Sequence, residues 1–390
     1  MGQVMPVPVT TKESGDGIAL SKGLSWGYSC MQGWRISMED AHFAVPTLGG
    51  DGWSNTAAFG VMDGHGGSAV ASFCERHLPV EIASGPSKDA RDALVSAFHR
   101  IDELLDEGVG LEVGPTPSST NPDWVGCTCV VCLVQPEVLV VANAGDSRAV
   151  LSRRGQAVPL SEDHKPNLPV EHERIRRAGG SVERQQVGSV VQYRVNGNLN
   201  LSRSIGDLEY KKNPLLPPSE QIICSTPDVL TFKREADDEF LLLACDGIWD
   251  VLGSQEAVDF VNERLPQWLK NGWALSGIME EMLDRCISPD LALTNGLGGD
   301  NMTAVLVVFS GAPVDDVSDG LAEVNIAKRS AGSMQLSRTG AETSAQALRR
   351  EWCVAASEGE SGMVCEEPPA LEEAVVVPVA FCGCKASSWR

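Results

Sequence analysis

An α+β fold with antiparallel sheets is what this sequence predicts, and three observations predict it. Strand-like and helix-like segments come in clusters, not in the strict alternation of a doubly wound parallel sheet. Several strand candidates (57–62, 127–134 and 302–309) are nearly continuous apolar runs, as in strands covered on both faces. Acids next to glycine recur where those runs start or stop: Asp63-Gly64, Gly145-Asp146, Asp246-Gly247 and Gly299-Asp300.

Residues 1–21 mix Pro, Thr, Gly and Lys and read as a flexible leader. From Leu24 the chain becomes strand-like through Trp26 and Tyr28, turns at Gly33, and alternates from Trp34 to Phe43 around Arg35, Glu39 and Asp40. The run 57–62 then stops at Asp63-Gly64-His65-Gly66-Gly67. Val70, Phe73, Cys74, His77 and Leu78 have helical spacing and predict a helix over 68–81. Ala90, Leu94, Ala97, Phe98, Ile101 and Leu105 form a clearer apolar stripe. Residues 107–123 are rich in Gly, Pro, Ser and Asn and predict an exposed loop.

Two buried strands follow at 127–134 and 138–142, then a hairpin over 147–160 through Arg154-Gly155 and a short helix over 171–178. Strands at 240–244 and 302–309 enclose two amphipathic helices, 255–269 and 274–286. Past about residue 312 periodicity vanishes. The composition of 313–390 predicts a disordered tail, with a short helix around 343–354 as its one candidate element. One folded domain over 22–312 is therefore expected.

The formal charge of −22 argues against nucleic-acid partners and anionic membranes, both of which favour a surplus of Lys and Arg. Twelve cysteines without a secretory signal predict a reducing compartment, cytoplasm or nucleus, not a disulfide framework. No apolar run reaches the length of a membrane span. Met1-Gly2 begins as an N-myristoylation signal does, although Pro6 stands where that signal has Ser or Thr. A single acyl chain there would give weak membrane contact at most. Acidity favours a monomer.

The acids Glu39, Asp40, Asp63, Asp146, Asp246, Asp250 and Asp300 all sit at strand ends. Brought together without a cation, such carboxylates repel one another and their pKa values rise. A hard divalent ion removes the conflict, and an all-oxygen ligand set favours Mg²⁺ or Mn²⁺ over zinc. Two such ions can hold a water between them, lower its pKa and clamp a phosphoryl oxygen. Arg35, four residues before Glu39, shares its side of an extended segment and offers a guanidinium fork to a phosphate. A surface ion pair with Glu39 is the competing reading. For His65 the functional reading is proton transfer, and the bland one is hydrogen bonding within a glycine-rich turn.

Taken together, the segments resemble the metal-dependent serine/threonine phosphatases of the protein phosphatase 2C (PPM) family. The matching residues are Gly33-Trp34-Arg35, Met38-Glu39-Asp40-Ala41-His42, Asp63-Gly64-His65-Gly66-Gly67, Gly126-Cys127-Thr128 and Asn143-Ala144-Gly145-Asp146-Ser147-Arg148. Glu162-Asp163-His164-Lys165-Pro166, Ser202-Arg203, Gly206-Asp207, Asp246-Gly247-Ile248-Trp249-Asp250 and Gly299-Asp300-Asn301-Met302-Thr303 follow in family order. The resemblance implies a four-layer sandwich of two stacked antiparallel β-sheets flanked by α-helices. It implies protein phosphatase activity on phosphoserine and phosphothreonine in protein partners, by a water bridging two metal ions and with no covalent intermediate. Asp63 would bridge both ions, with Glu39 and the Gly64 carbonyl on one and Asp246 and Asp300 on the other. Asp40 would hold a metal water, and Asp146 and Asp250 would share a weaker third site with Asp246. Arg35 would grip the phosphate, His65 would protonate the leaving oxygen, and Thr128 and Asn301 would support the ligands. Residues 165–207 correspond to the family's flap, which borders the cleft.

Rival readings fare worse. A catalytically dead phosphatase fold should have lost one of Asp63, Asp246 and Asp300, and a two-metal nuclease should have a basic groove. Cys127, Cys129 and Cys132 lie on one strand with alternating faces, so they read as small buried hydrophobes, not as a metal site.

Overall fold

The computed structural model describes residues 4–108, 122–187 and 190–310. In chain order it runs through β1 (Val4–Ala19), β2 (Leu24–Arg35), β3 (Ala41–Val45), β4 (Ala57–Met62) and β5 (Gly64–His65) to the helices α1 (Ala69–Ser84) and α2 (Ala90–Asp106). There follow β6 (Gly126–Cys127), β7 (Cys129–Val134), β8 (Val138–Ala144), β9 (Arg148–Arg153), β10 (Gln156–Pro159) and α3 (Pro169–Arg177). The hairpin β11 (Val182–Val187) and β12 (Val190–Val195) precedes β13 (Ile205–Gly206), β14 (Asp228–Lys233) and β15 (Asp238–Ala244). The short α4 (Asp246–Trp249), α5 (Ser254–Asn271), α6 (Ser276–Cys286) and β16 (Met302–Phe309) complete it.

Two antiparallel sheets stack face to face. One has six strands in the order β1-β2-β16-β15-β9-β10, the other five in the order β14-β8-β7-β4-β3. Strand alternation shows why both faces had to be apolar. On β15, Leu241 and Leu243 join the core between the sheets, with Phe59, Val130 and Val141 from the other sheet. Phe240, Leu242 and Ala244 join the opposite core, with Val258 and Val261 of α5 and Ile278 and Met282 of α6. Helices α1 and α2 cover the outer face of the five-stranded sheet, α1 on β3 and β4 and α2 on β8 and β14. The four layers are thus helix, sheet, sheet, helix.

The chain differs from its sequence-based reading in three places. The run 127–134 is not one strand but breaks at Thr128 into β6 and β7, which belong to different sheets, so Cys127 does not share a strand with Cys129 and Cys132. The expected leader over 1–21 contains β1, which pairs with β2 from Val4 opposite Arg35 to Ala19 opposite Leu24. Pro6 and Pro8 and the polar, glycine-containing second half do not announce a strand; an edge strand needs only backbone pairing to one neighbour. It is also tied down by side chains: Lys12 pairs with Asp284 at 2.7 Å, and Asp16 accepts from the backbone and hydroxyl of Ser276 at the start of α6. The alternating segment 34–43 is not one strand but stops at Arg35 and resumes at Ala41. Of the loop expected over 107–123, residues 109–121 lie outside the described residues, as do Gly2 and the tail from 311 onward. Among the described residues no helix is long and apolar enough to cross a membrane.

Candidate metal centre and catalytic cleft

Strand ends deliver the acids. Asp63 follows β4, Asp146 follows β8, Asp246 and Asp250 bracket α4 just past β15, and Asp300 precedes β16. Glu39 and Asp40 lie in the break between β2 and β3. Glycine permits this crowding. A Cβ on Gly64 would sit 2.1 Å from the Glu39 carbonyl oxygen, so only glycine lets the two loops touch.

Electrostatics identify a shared site. Burial, and then the charges of Asp246, Asp40, Asp300 and Asp146, push the Asp63 carboxyl far above its ordinary range. Asp246 is raised in the same way, by burial first and then by Asp146, Asp300 and Asp250. Asp300 and Asp250 are raised mainly by burial, and Asp40 is pushed up to about 7. Asp40 takes a hydrogen bond from Thr303 Oγ1 at 2.7 Å on one oxygen, while its other oxygen is buried with no hydrogen-bond partner among the described residues. Ligand atoms of Asp40, Asp63 and Cys245 lie within 4.8 Å of one another. The sulfur is already engaged, accepting from Thr303 N at 3.2 Å and donating to the Asn301 carbonyl at 3.6 Å, and burial keeps it a thiol. What remains is a set of hard oxygen donors with surplus negative charge and an orphaned oxygen. That set fits a divalent cation such as Mg²⁺ or Mn²⁺.

Some sequence-predicted residues are placed differently. Arg35 does not pair with Glu39; its guanidinium contacts the Asp300 carboxylate, because the chain bends after β2. Glu39 accepts from Ser37 Oγ at 2.7 Å on one oxygen and from Gly67 N at 3.1 Å on the other, so protein donors occupy both. Asp146 is paired with Lys165, unlike Asp246 and Asp250. Thr128 and Asn301 brace the loops: Thr128 Oγ1 accepts from Asp63 N at 3.2 Å, and Asn301 Oδ1 accepts from Glu39 N at 3.0 Å. Asn301 Nδ2 also donates to the carbonyls of Gln32 and Ser37.

His65 lies at the edge of the cluster, with its side chain 24% exposed and Nε2 2.7 Å from Asp207 Oδ2. Burial alone would lower its pKa; the charge and hydrogen bond of Asp207 outweigh that and hold it above the ordinary value. Sequence reasoning assigned no role to Asp207, Lys165, Thr303 or Ser37. Asp207 and Lys165 stand in the quoted motifs, but their partners lie 142 and 19 residues away, and nothing local announces the pairing.

Between residues 165 and 223 the chain gathers around a third, smaller core. Pro169 starts α3, where a missing N–H costs nothing. Ile175, Val195, Tyr210 and Ile223 make a small core of their own. Glu171 is the hub. It pairs with Arg174 at 2.5 Å and Arg203 at 2.7 Å, and accepts from Ser202 Oγ at 2.7 Å. Burial pushes its carboxyl up, but these partners outweigh burial and hold it at about 2.

A family model described as Protein phosphatase 2C matches residues 24–292. "Probable protein phosphatase 2C 21" of Arabidopsis thaliana is 41% identical over 350 residues, covering 79% of this chain and 93% of its own. "Protein phosphatase 2C homolog 2" of Schizosaccharomyces pombe is 45% identical over 315 residues, 79% of each chain. Among solved structures, a phosphatase from a pathogenic strain of Toxoplasma gondii superposes with a TM-score of 0.61 at 24% identity, over 77% of this chain and 96% of that one. That last likeness speaks to the fold.

Proposed function

The chain belongs to the protein phosphatase 2C family and is a serine/threonine protein phosphatase; from that premise we propose that it hydrolyses phosphoserine and phosphothreonine using Mg²⁺ or Mn²⁺, without a covalent enzyme intermediate. The observation that carries the reading is the convergence of Asp40, Asp63, Asp246, Asp250 and Asp300, all with raised pKa values and no matching set of cations. Asp63 would serve both ions, with Glu39 and the Gly64 carbonyl on one side and Asp246 and Asp300 on the other. Asp40, with its orphaned oxygen, suits a water of the same site. Asp146, Asp246 and Asp250 would form a weaker third site. When bound, such ions supply a water of lowered pKa as nucleophile and offset the charge of the phosphoryl group.

The chain's own residues do the rest. Arg35 spends one N–H group on Asp300, and its side chain is 41% exposed, so further N–H groups are available to the substrate phosphate. His65, held protonated more readily than a free histidine, donates a proton to the departing serine or threonine oxygen. Thr128 and Asn301 hold the Asp63 and Glu39 loops in register. Free, buried cysteines suit a reducing compartment, cytoplasm or nucleus. The test is phosphate release from a phosphothreonine peptide by the full-length protein. Chelation should silence it and added Mg²⁺ or Mn²⁺ should restore it; turnover indifferent to chelator overturns the reading.

A further inference from the structure

We infer that Asp207 is the positioning residue for His65: it accepts the Nε2–H hydrogen bond, fixes the ring, and leaves Nδ1 to carry the proton that the leaving oxygen receives. The inference rests on the reading of His65 as general acid. Its physical basis is a site assembled from three short strands. His65 on β5 lies opposite Gly126 on β6, and Gly126 lies opposite Gly206 on β13, the residue before Asp207. The backbone of Asp207 is pinned on both sides, its N–H to the Val125 carbonyl at 2.9 Å and its carbonyl to Tyr210 N–H at 3.0 Å.

Three features mark this carboxylate as more than filler. Asp207 is 1% exposed yet turns its charge to His65, and no other cationic side chain contacts it among the described residues. Nearby Lys211 is already taken by Asp102 and the Ser204 carbonyl. Among the described residues only one of its oxygens is used: Oδ2 takes both the His65 contact and the Ser204 hydroxyl at 2.5 Å, while Oδ1 is buried without a partner. Its φ of 48° is left-handed, a conformation non-glycine residues seldom hold and which clusters at functional sites. Gly126 guards the pair, since a Cβ there would stand 2.3 Å from Asp207 Oδ2 and 2.8 Å from His65 Nε2. Among the described residues His65 makes no other side-chain hydrogen bond, so Nδ1 is left for substrate. In the proton balance, the P–O electron pair goes to the serine or threonine oxygen, which takes the Nδ1 proton. Imidazole regains a proton from the attacking water as phosphate forms.

Asp207→Asn tests this, because asparagine has the same size and tolerates a left-handed backbone. The full-length enzyme, at saturating Mn²⁺, is assayed on a phosphothreonine peptide and on p-nitrophenyl phosphate, whose leaving group needs no proton. Asp207→Asn should lower kcat on the peptide by roughly 10–100-fold, with KM little changed, and cost the aryl phosphate only a few-fold. In a His65→Gln background the same change should have almost no further effect, since coupled residues are non-additive. Gly126→Ala, which crowds the pair without removing either member, should give the same substrate-dependent loss and carries the test if Asp207→Asn does not fold. Equal losses on both substrates, or an undiminished loss in the His65→Gln background, overturns the inference. If His65→Gln itself costs both substrates equally, the general-acid reading fails; if it discriminates between them but Asp207→Asn and Gly126→Ala do not, only the role of Asp207 falls.

Discussion

Two buried charged clusters, the acids at the strand ends and the Glu171 hub of residues 165–207, solve the same problem in opposite ways. Around Glu171 the protein supplies its own cations, Arg174 and Arg203, and the carboxyl is held down at about 2. Around Asp63 it supplies mainly more carboxylates, and the acid is held far up. Arg35 and Lys165 reach only Asp300 and Asp146. A self-neutralised cluster is complete as folded and its role is structural. A cluster left with surplus negative charge has the charge balance that the proposed divalent ions would complete. The sign of the pKa shift, set beside the geometry, separates scaffold from site.

The sharpest way to test the contrast is to remove one charge from each cluster. Asp63→Asn should abolish measurable turnover while leaving the metal-free protein as stable as before or more so, because it relieves repulsion. Thermal melting without metal, set beside the phosphatase assay, checks both halves; a collapsed melting temperature would mean that Asp63 is structural. His65→Gln should cost a phosphopeptide about 10²–10⁴-fold and p-nitrophenyl phosphate much less. The ratio of the two kcat losses at saturating metal is the readout, and a ratio near one returns His65 to a supporting role. Glu171→Gln works in the opposite sense from Asp63→Asn. It leaves Arg174 buried without its counter-charge and should destabilise the fold by about 3–5 kcal/mol, measured by urea unfolding.

The smallest effects are in pH. Glu171 has a folded pKa below its unfolded one. The stability it adds is therefore present above about 4.5 and is lost as pH falls towards about 2. The difference in unfolding free energy between wild type and Glu171→Gln should shrink over that window. Asp40 has a folded pKa raised to about 7 from 3.8, so its ionised form is what the metal-free fold disfavours. The penalty is absent in acid and grows as pH rises through that interval. The stabilisation gained on adding Mn²⁺ should accordingly increase from about pH 4 to pH 7. A pH-independent gain would show that the ion does not bind at the acid cluster.

Much of the architecture is written locally in the chain. The run 57–62 is β4, the stripe from Ala90 to Leu105 is α2, and the double-sided apolar runs at 240–244 and 302–309 are β15 and β16 between two cores. Burial imposes a period of two on a strand and 3.6 on a helix, and a period can be read from neighbours in sequence. The acids that meet at the strand ends were legible for a related reason, since each marks the point where an apolar run stops. Partnership was not legible. Neither the strand at 4–19, whose hydrogen bonds depend on β2, nor the contacts of Arg35 with Asp300 and of His65 with Asp207 can be deduced from any window of the chain. Those pairings join residues as much as 265 apart, and only the register of the finished sheets brings them within reach of one another.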